Sequence, residues 1–314
     1  MRKIKIFLST KHLQNLIYTL LSSGTMILTA CDADTTWGHI NQADDTSQSN
    51  QYCQAFKEPF WYDICAIDEK MLLAPSHHQN HGQHGQKDTK QQAQQAEQQA
   101  QNLSLRLFWR QADDNTDKNA KPLFTFSALK QQLSANKQLL FASNAGMYNH
   151  EFAPIGYTVI DGKQILSLNL NEGEGNFHLM PNGVFWWNDD GFHIDTSEQM
   201  QRQLKAGVKP KFATQSGPML VIDGAMHPKF TADSTSKKIR NGIGISEDGK
   251  IKLVHSRVPV NFYEFALLFQ TQLNCKNALF LDGGIASALY APELKINDKK
   301  NMGVMIGLIE SKFD

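Results

Sequence analysis

The stretch Ala278-Leu279-Phe280-Leu281-Asp282-Gly283-Gly284-Ile285-Ala286-Ser287 joins a short apolar run to a carboxylate, two glycines and a line of small residues. A buried strand that ends this way displays one carboxylate at a mouth lined by bare backbone. Glycines let main-chain N–H groups approach a ligand, and successive amides form a concavity that suits an anion. The carboxylate could transfer a proton, attack as a nucleophile or stabilise a developing positive charge. Asp282 belongs to one of five Asp-Gly pairs, the others starting at Asp161, Asp190, Asp223 and Asp248. Those four stand between strand-like runs and read as hairpin turns. Asp282 alone has a second glycine and no polar hairpin partner, so Asp282, Gly283 and Gly284 lead the candidates for a site.

The elements that must position this site are mostly strands. Leu103–Arg110 alternates, as do Ile155–Ile160 and Gln164–Leu170 around Asp161-Gly162. Val184–Trp187, Met219–Ile222, Ile243–Ser246 and Ile251–His255 continue the series. Two helices are expected. Phe126–Asn136 opens on a Ser127 cap, and Asn261–Leu273 places Phe262, Phe265, Ala266, Phe269 and Leu273 on one core-facing side. The class is α+β, a single domain dominated by antiparallel β-sheet with a few packed helices. About 210 residues from Leu103 onward suffice for one sizeable core.

The N-terminus sets the compartment. Arg2, Lys3, Lys5 and Lys11 precede an apolar stretch from Leu16 to Ala30, broken by Ser22, Ser23 and Gly24. That stretch suits a signal-peptide core over residues 1–30 better than a membrane span of about 20 apolar residues. It ends in Leu28-Thr29-Ala30-Cys31, which resembles a bacterial lipobox and implies acylation of Cys31. An ordinary cleaved signal with an incidental cysteine is the alternative. Residues 31–50 read as a polar tether, and residues 51–314 as the folded domain. Asp32 leans toward retention in the inner membrane, with the domain facing the periplasm. Removing residues 1–31 leaves 27 Lys+Arg against 31 Asp+Glu. No basic cluster of a nucleic-acid binder appears. Export favours a Cys53–Cys65 disulfide between neighbouring strand segments, with Cys275 a buried free thiol. Residues 75–102, with His77, His78, His81, His84 and a Gln/Ala run, read as a disordered insertion, although a His-rich tract can also bind metal loosely.

Several further motifs precede Asp282. Phe141–Tyr148 contains Asn144 and Gly146, and Pro154-Ile155-Gly156, Gly175-Asn176-Phe177 and Pro181-Asn182-Gly183 follow. Ala213–Leu220 contains Gln215, Ser216 and Gly217, Arg240-Asn241-Gly242-Ile243-Gly244 comes next, and then Val260-Asn261-Phe262. In order and spacing these resemble the phosphodiester glycosidase family, from about Leu103 to the C-terminus. The resemblance implies hydrolysis between the anomeric carbon of a sugar and a phosphate, here on an envelope or exported glycan. It implies Asp282 and Arg240 as catalytic residues, the guanidinium gripping the phosphate. Asn144, Gly146, Gln215, Ser216, Gly217, Asn241, Asn261, Gly283, Gly284 and, in a second line, His227 would bind substrate.

Each residue also has a plainer reading. Asn261 with Glu264 fits a helix capping box. Arg240 fits an ion pair with Asp233, Gln215 and Ser216 fit a turn before Gly217-Pro218, and Asn144 and Asp282 fit bends. His227 and His178 fit satisfied polar positions. No HExxH, GxSxG or Walker loop is present, so neither a metal nor a cofactor is expected. A glycan-binding lipoprotein without turnover is the alternative function.

Overall fold

The computed structural model describes residues 51–73, 102–111 and 120–312. The signal segment 1–30, Cys31, Asp32, the tether to residue 50 and residues 75–101 of the insertion lie outside the described residues.

In chain order the strands are β1 (Cys53–Phe56), β2 (Tyr62–Asp68), β3 (Leu103–Phe108), β4 (Lys137–Asn144), β5 (Thr158–Ile160) and β6 (Lys163–Leu166). They continue as β7 (Gly183–Trp187), β8 (Phe192–Thr196), β9 (Phe212–Ser216), β10 (Met219–Ile222), β11 (Ala225–Met226) and β12 (Arg240–Ser246). The last are β13 (Lys250–Ser256), β14 (Cys275–Gly283), β15 (Leu289–Ala291), β16 (Ile296–Asn297) and β17 (Met305–Ser311). The helices are α1 (Phe126–Gln132), α2 (Ser197–Lys205) and α3 (Phe262–Leu267).

Three antiparallel sheets result, ordered β1-β2-β13-β12-β14-β10-β11, β16-β15-β4-β17-β3 and β6-β5-β9-β7-β8. Alternation along each strand gives every sheet two apolar faces. One face of each meets a shared core, where Ile243, Leu253 and Leu279 join Phe141 and Ile306 and also Phe185 and Trp187. The other face of each packs against a helix. Val254 and Phe280 meet Phe265 of α3 and Phe269 just after it, Leu139 and Ile309 meet Phe126 and Leu129 of α1, and Val184 and Trp186 meet Met200 of α2. The fold is therefore the α+β, sheet-dominated class expected from the alternation. Among the described residues, no helix is long and apolar enough to cross a membrane.

The four hairpin-type Asp-Gly pairs close β5–β6, β7–β8, β10–β11 and β12–β13. At Asp161-Gly162 and Asp223-Gly224 both residues have positive φ, the backbone that matches a tight turn to the strand twist. Cys53 and Cys65 are register partners on β1 and β2 and form the expected disulfide. Closing a loop of this length contributes about 3 kcal/mol by restricting the unfolded chain. Cys275 is free and buried, and burial pushes its thiol up to about 12.

The helices required corrections. Helix α1 is capped by Thr125 Oγ1, which accepts Ala128 N–H at 3.2 Å, and not by Ser127. It stops at Gln132 instead of reaching Asn136. The 261–273 helix is present as α3 followed by a π turn over Leu268–Gln272. Helix α2 was not anticipated, because Met200 and Leu204 are its only large apolar residues. Its Thr196–Gln199 capping box was the readable signal.

Candidate active site

Asp282 sits at the end of β14, a central strand of the seven-stranded sheet. Its register partner is Asn241 on β12. Asn241 pairs in turn with His255 on β13, and His255 with Asp63 on β2. Directly opposed residues share a face, so a polar row of Asp63, His255, Asn241 and Asp282 crosses four strands at one end of the core-facing side. At the far end Asp63 is buried and takes a forked grip from Arg257, at 2.7 and 2.9 Å. Its Oδ2 lies 3.9 Å from His255 Nδ1. Burial alone would raise the Asp63 carboxyl, but His255 and Arg257 together hold it below the usual range.

At the Asp282 end two asparagines fasten the loop that follows. Asp282 N–H donates to Asn241 Oδ1 at 3.2 Å. Asn241 Nδ2 donates to Asn144 Oδ1 at 2.9 Å and to Ser143 Oγ at 3.1 Å. The same Asn144 Oδ1 accepts Ala288 N–H at 2.9 Å, and Ser143 Oγ donates to the Ala288 carbonyl at 3.1 Å. Both ends of the 282–288 loop are thus stapled to β4 and β12 by a buried Asn144–Asn241 pair. Within the loop Ala286 N–H bonds to the Gly283 carbonyl, and Ile285 is 92% exposed at the tip.

Burial pushes the Asp282 carboxyl up to about 6, partly offset by Gly283 N–H, which donates to Oδ1 at 2.7 Å. Tyr148 lies within electrostatic reach. Its hydroxyl is pushed up to about 12 by its own burial and by the Asp282 charge. Asp282 therefore holds a proton nearer neutrality than an ordinary carboxyl, which suits it to act as an acid.

The glycine amides do not form the open anion concavity anticipated. Gly283 N–H is engaged by Asp282, and Gly284 N–H donates to the Ile239 carbonyl at 2.8 Å. The two glycines serve geometry instead. A Cβ on Gly283 would stand 2.8 Å from the Ile239 carbonyl, and Gly284 turns the chain at φ +63°.

Arg240 is the largest displacement from expectation. It precedes Asn241 on β12 and so points to the opposite, helix-covered face. There it is buried, with Nε donating to the Val260 carbonyl and Nη2 to the Ser236 carbonyl, both at 2.8 Å. Its guanidinium lies 3.6 Å over the Phe262 ring. Burial lowers its pKa to about 10, and the carboxylate acting on it is Glu264, neither Asp233 nor Asp282. These contacts hold the Val260 and Ser236 backbone and pack the guanidinium on Phe262, on the face of β12 opposite Asn241. Asn261 and His227 belong to the same cluster. Asn261 caps α3 in a reciprocal box with Glu264, and its Nδ2 holds the Ala232 and Ser234 carbonyls. His227 stacks on Phe230 and Phe230 on Phe262, and burial holds the imidazole below its usual range.

Gln215 is a buried bracket. Its Oε1 accepts Tyr157 N–H and Asn169 N–H, while Nε2 donates to the Asn169 carbonyl and Ser197 Oγ. Gly146 packs against it so closely that a Cβ would meet the Gln215 carbonyl at 2.5 Å. Gly217 presses against Asn182 and Phe177, and Ser216 Oγ donates to the Leu281 carbonyl, one residue before Asp282. These four align the sheets beneath the site. The structure thus brings together Asn144, Asn241, Asp282, Gly283 and Gly284, with Ser216 beside them; Arg240 pairs with Gly283 through its backbone but turns its side chain to the opposite face, toward Asn261 and His227.

Sequence reasoning missed Ser143, Tyr148, Ser287 and the Asp63–His255–Arg257 cluster. Ser143, Tyr148 and Ser287 stand inside motifs already singled out, whereas the cluster is assembled only by strand register. A cavity of about 660 Å³ opens beside Tyr52, Phe56, Tyr62 and Met71, and none of its lining residues belongs to the Asp282 network.

Residues 137–307, from β4 into β17, match the phosphodiester glycosidase family. That span holds the whole stapled loop with Ser143, Asn144 and Asn241. The uncharacterized protein YigE of Escherichia coli (strain K12) is 34% identical over 186 residues, 59% of this chain and 69% of that protein. Among solved structures, the catalytic domain of zebrafish N-acetylglucosamine-1-phosphodiester alpha-N-acetylglucosaminidase, auto-inhibited by its pro-peptide, superposes with a TM-score of 0.50 at 13% identity, covering 87% of each chain. A hypothetical protein from Synechocystis gives a TM-score of 0.48 at 14% identity, over 82% of this chain and 61% of that one. The family match across more than half of the sequence, together with the one-third identity to YigE, means that the chain belongs to the phosphodiester glycosidase family.

Proposed function

We propose that this hydrolase cleaves a sugar-1-phosphodiester between the anomeric carbon and the bridging oxygen, with Asp282 as the proton donor. The observation that carries the reading is the Asp282 carboxyl, held at about 6 by burial at the mouth of a stapled loop. A phosphodiester bears one negative charge, which an ionised Asp282 would repel and a protonated one can meet with a hydrogen bond. In the reaction the C1–O bond breaks and its electron pair passes to the bridging oxygen. That oxygen takes the Asp282 proton, and water delivers hydroxide to the anomeric carbon while releasing a proton to solvent. The products are a free sugar and a phosphomonoester. A phosphomonoester takes up its second proton near pH 6, so the carboxyl and its leaving group are closely matched, at about 6 each. We further infer an envelope or exported glycan as the natural substrate, met by a chain anchored through Cys31 and facing the periplasm.

The test offers the full chain N-acetylglucosamine-1-phosphomethyl ester, a methyl glycoside lacking phosphate and a phosphodiester lacking sugar. Sugar release is expected from the first alone, with kcat/KM falling about tenfold per pH unit above pH 6 as Asp282 ionises. Ligand-induced thermal stabilisation without any product would instead favour the glycan-binding alternative.

A further inference from the structure

Ser287 is fully buried inside the stapled loop, and its hydroxyl has no hydrogen-bond partner. Native interiors leave few such groups, because an unpaired buried hydroxyl is costly. The backbone of the same residue is well held. Its carbonyl accepts the Lys300 ammonium at 2.6 Å, and the next residue, Ala288, is fixed by Asn144 and Ser143. Ser287 is therefore a precisely held residue with an idle donor and an attached cation, in the loop that opens with Asp282. A hydroxyl donor and an ammonium held to the same residue are two groups that an anionic oxygen accepts readily. Arg240, the arginine expected to grip the phosphate, is engaged by backbone carbonyls, and Arg257 by Asp63.

We propose that Ser287 and Lys300 hold the phosphate half of the substrate, the hydroxyl donating to one non-bridging oxygen and the ammonium leaving the Ser287 carbonyl for another. This rests on the phosphodiester reading of the Asp282 site and adds the group that receives the anion. Because Ser287 is covered, binding must shift the loop, and the turn at Gly284 is where its backbone can give. The exposed tip at Ile285 moves with it without leaving a packed position.

Titration calorimetry with methyl phosphate reads this binding without requiring turnover. The wild-type chain, Ser287→Ala, Lys300→Gln and Lys300→Arg would be compared at pH 5.5. Affinity is expected to fall about tenfold in Ser287→Ala and in Lys300→Gln, the scale of one hydrogen bond to a charged group, and to be largely kept in Lys300→Arg. Ser287→Ala should also melt no lower than wild type, since it deletes an unpaired hydroxyl; that separates a binding role from a structural one. Unchanged affinity in both variants, or no binding by a wild-type chain that hydrolyses its substrate, would overturn the assignment. Binding that depends on Ser287 and Lys300 in a chain that hydrolyses nothing would support it while removing the hydrolase reading.

Discussion

Asp282→Asn is expected to lower kcat by about 10²–10⁴-fold, the usual contribution of a positioned acid, while raising the stability of the fold above pH 6. The two effects share one cause. Folding lifts the carboxyl from 3.8 to about 6, so the native state binds its proton more tightly than the unfolded chain. Stability therefore falls as pH rises from 3.8 to about 6 and stays lower above that, where the native protein carries an ionised carboxylate with little solvent around it. The penalty at pH 8 is on the order of 2 kcal/mol, reduced from the full linkage value because the side chain keeps some contact with water. An asparagine of the same shape carries no such penalty. Thermal melts at pH 8 should place the variant several degrees above wild type, and the gap should close below pH 4. A variant less stable than wild type at pH 8 would mean that Asp282 is there to hold the turn.

Asn241→Ala is expected to destabilise the chain by about 3–4 kcal/mol and to remove activity even where the protein remains folded. Asn241 connects strand β12 to both ends of the 282–288 loop. Its loss deprives Asp282 N–H of its acceptor and takes from Asn144 and Ser143 the donor that holds them. Buried groups left unpaired cost about 1–3 kcal/mol each, and small shifts of the loop recover part of that. Ser143→Ala removes the bonds to Asn241 and to the Ala288 carbonyl but leaves the asparagine pair and the Asp282 N–H acceptor in place, and should cost about 1–2 kcal/mol. Urea denaturation of the two variants gives the comparison. Equal, small losses would show that the loop is held by something other than the asparagine pair.

Much of this architecture was readable from residue types because its signals are local. The strand alternation, the turn-forming Asp-Gly pairs, the cysteine pair and the aromatic stripe of residues 262–273 each depend on residues within about a dozen positions of one another. That Asp282-Gly283 ends a strand without closing a hairpin was legible for the same reason. The face of β12 that Arg240 occupies was not legible, because it is set by packing against Phe262 and Phe280. Asn261 offered a cap and a ligand role equally, and the observed box with Glu264 is the cap. The Asp63–His255–Asn241–Asp282 row could not be read at all. Its members lie up to 219 positions apart in sequence and meet only through the register of four strands.

The central claim is cleavage at the sugar carbon, and heavy-oxygen water tests it most directly. The full chain would be incubated with N-acetylglucosamine-1-phosphomethyl ester in labelled water at pH 5.5, and both products weighed by mass spectrometry. Attack at the anomeric carbon, with the phosphate leaving on the Asp282 proton, puts the label in the sugar and leaves the methyl phosphate unlabelled. Label in the phosphate would mean that water attacks phosphorus, making the chain a phosphodiesterase and contradicting the role given to Asp282.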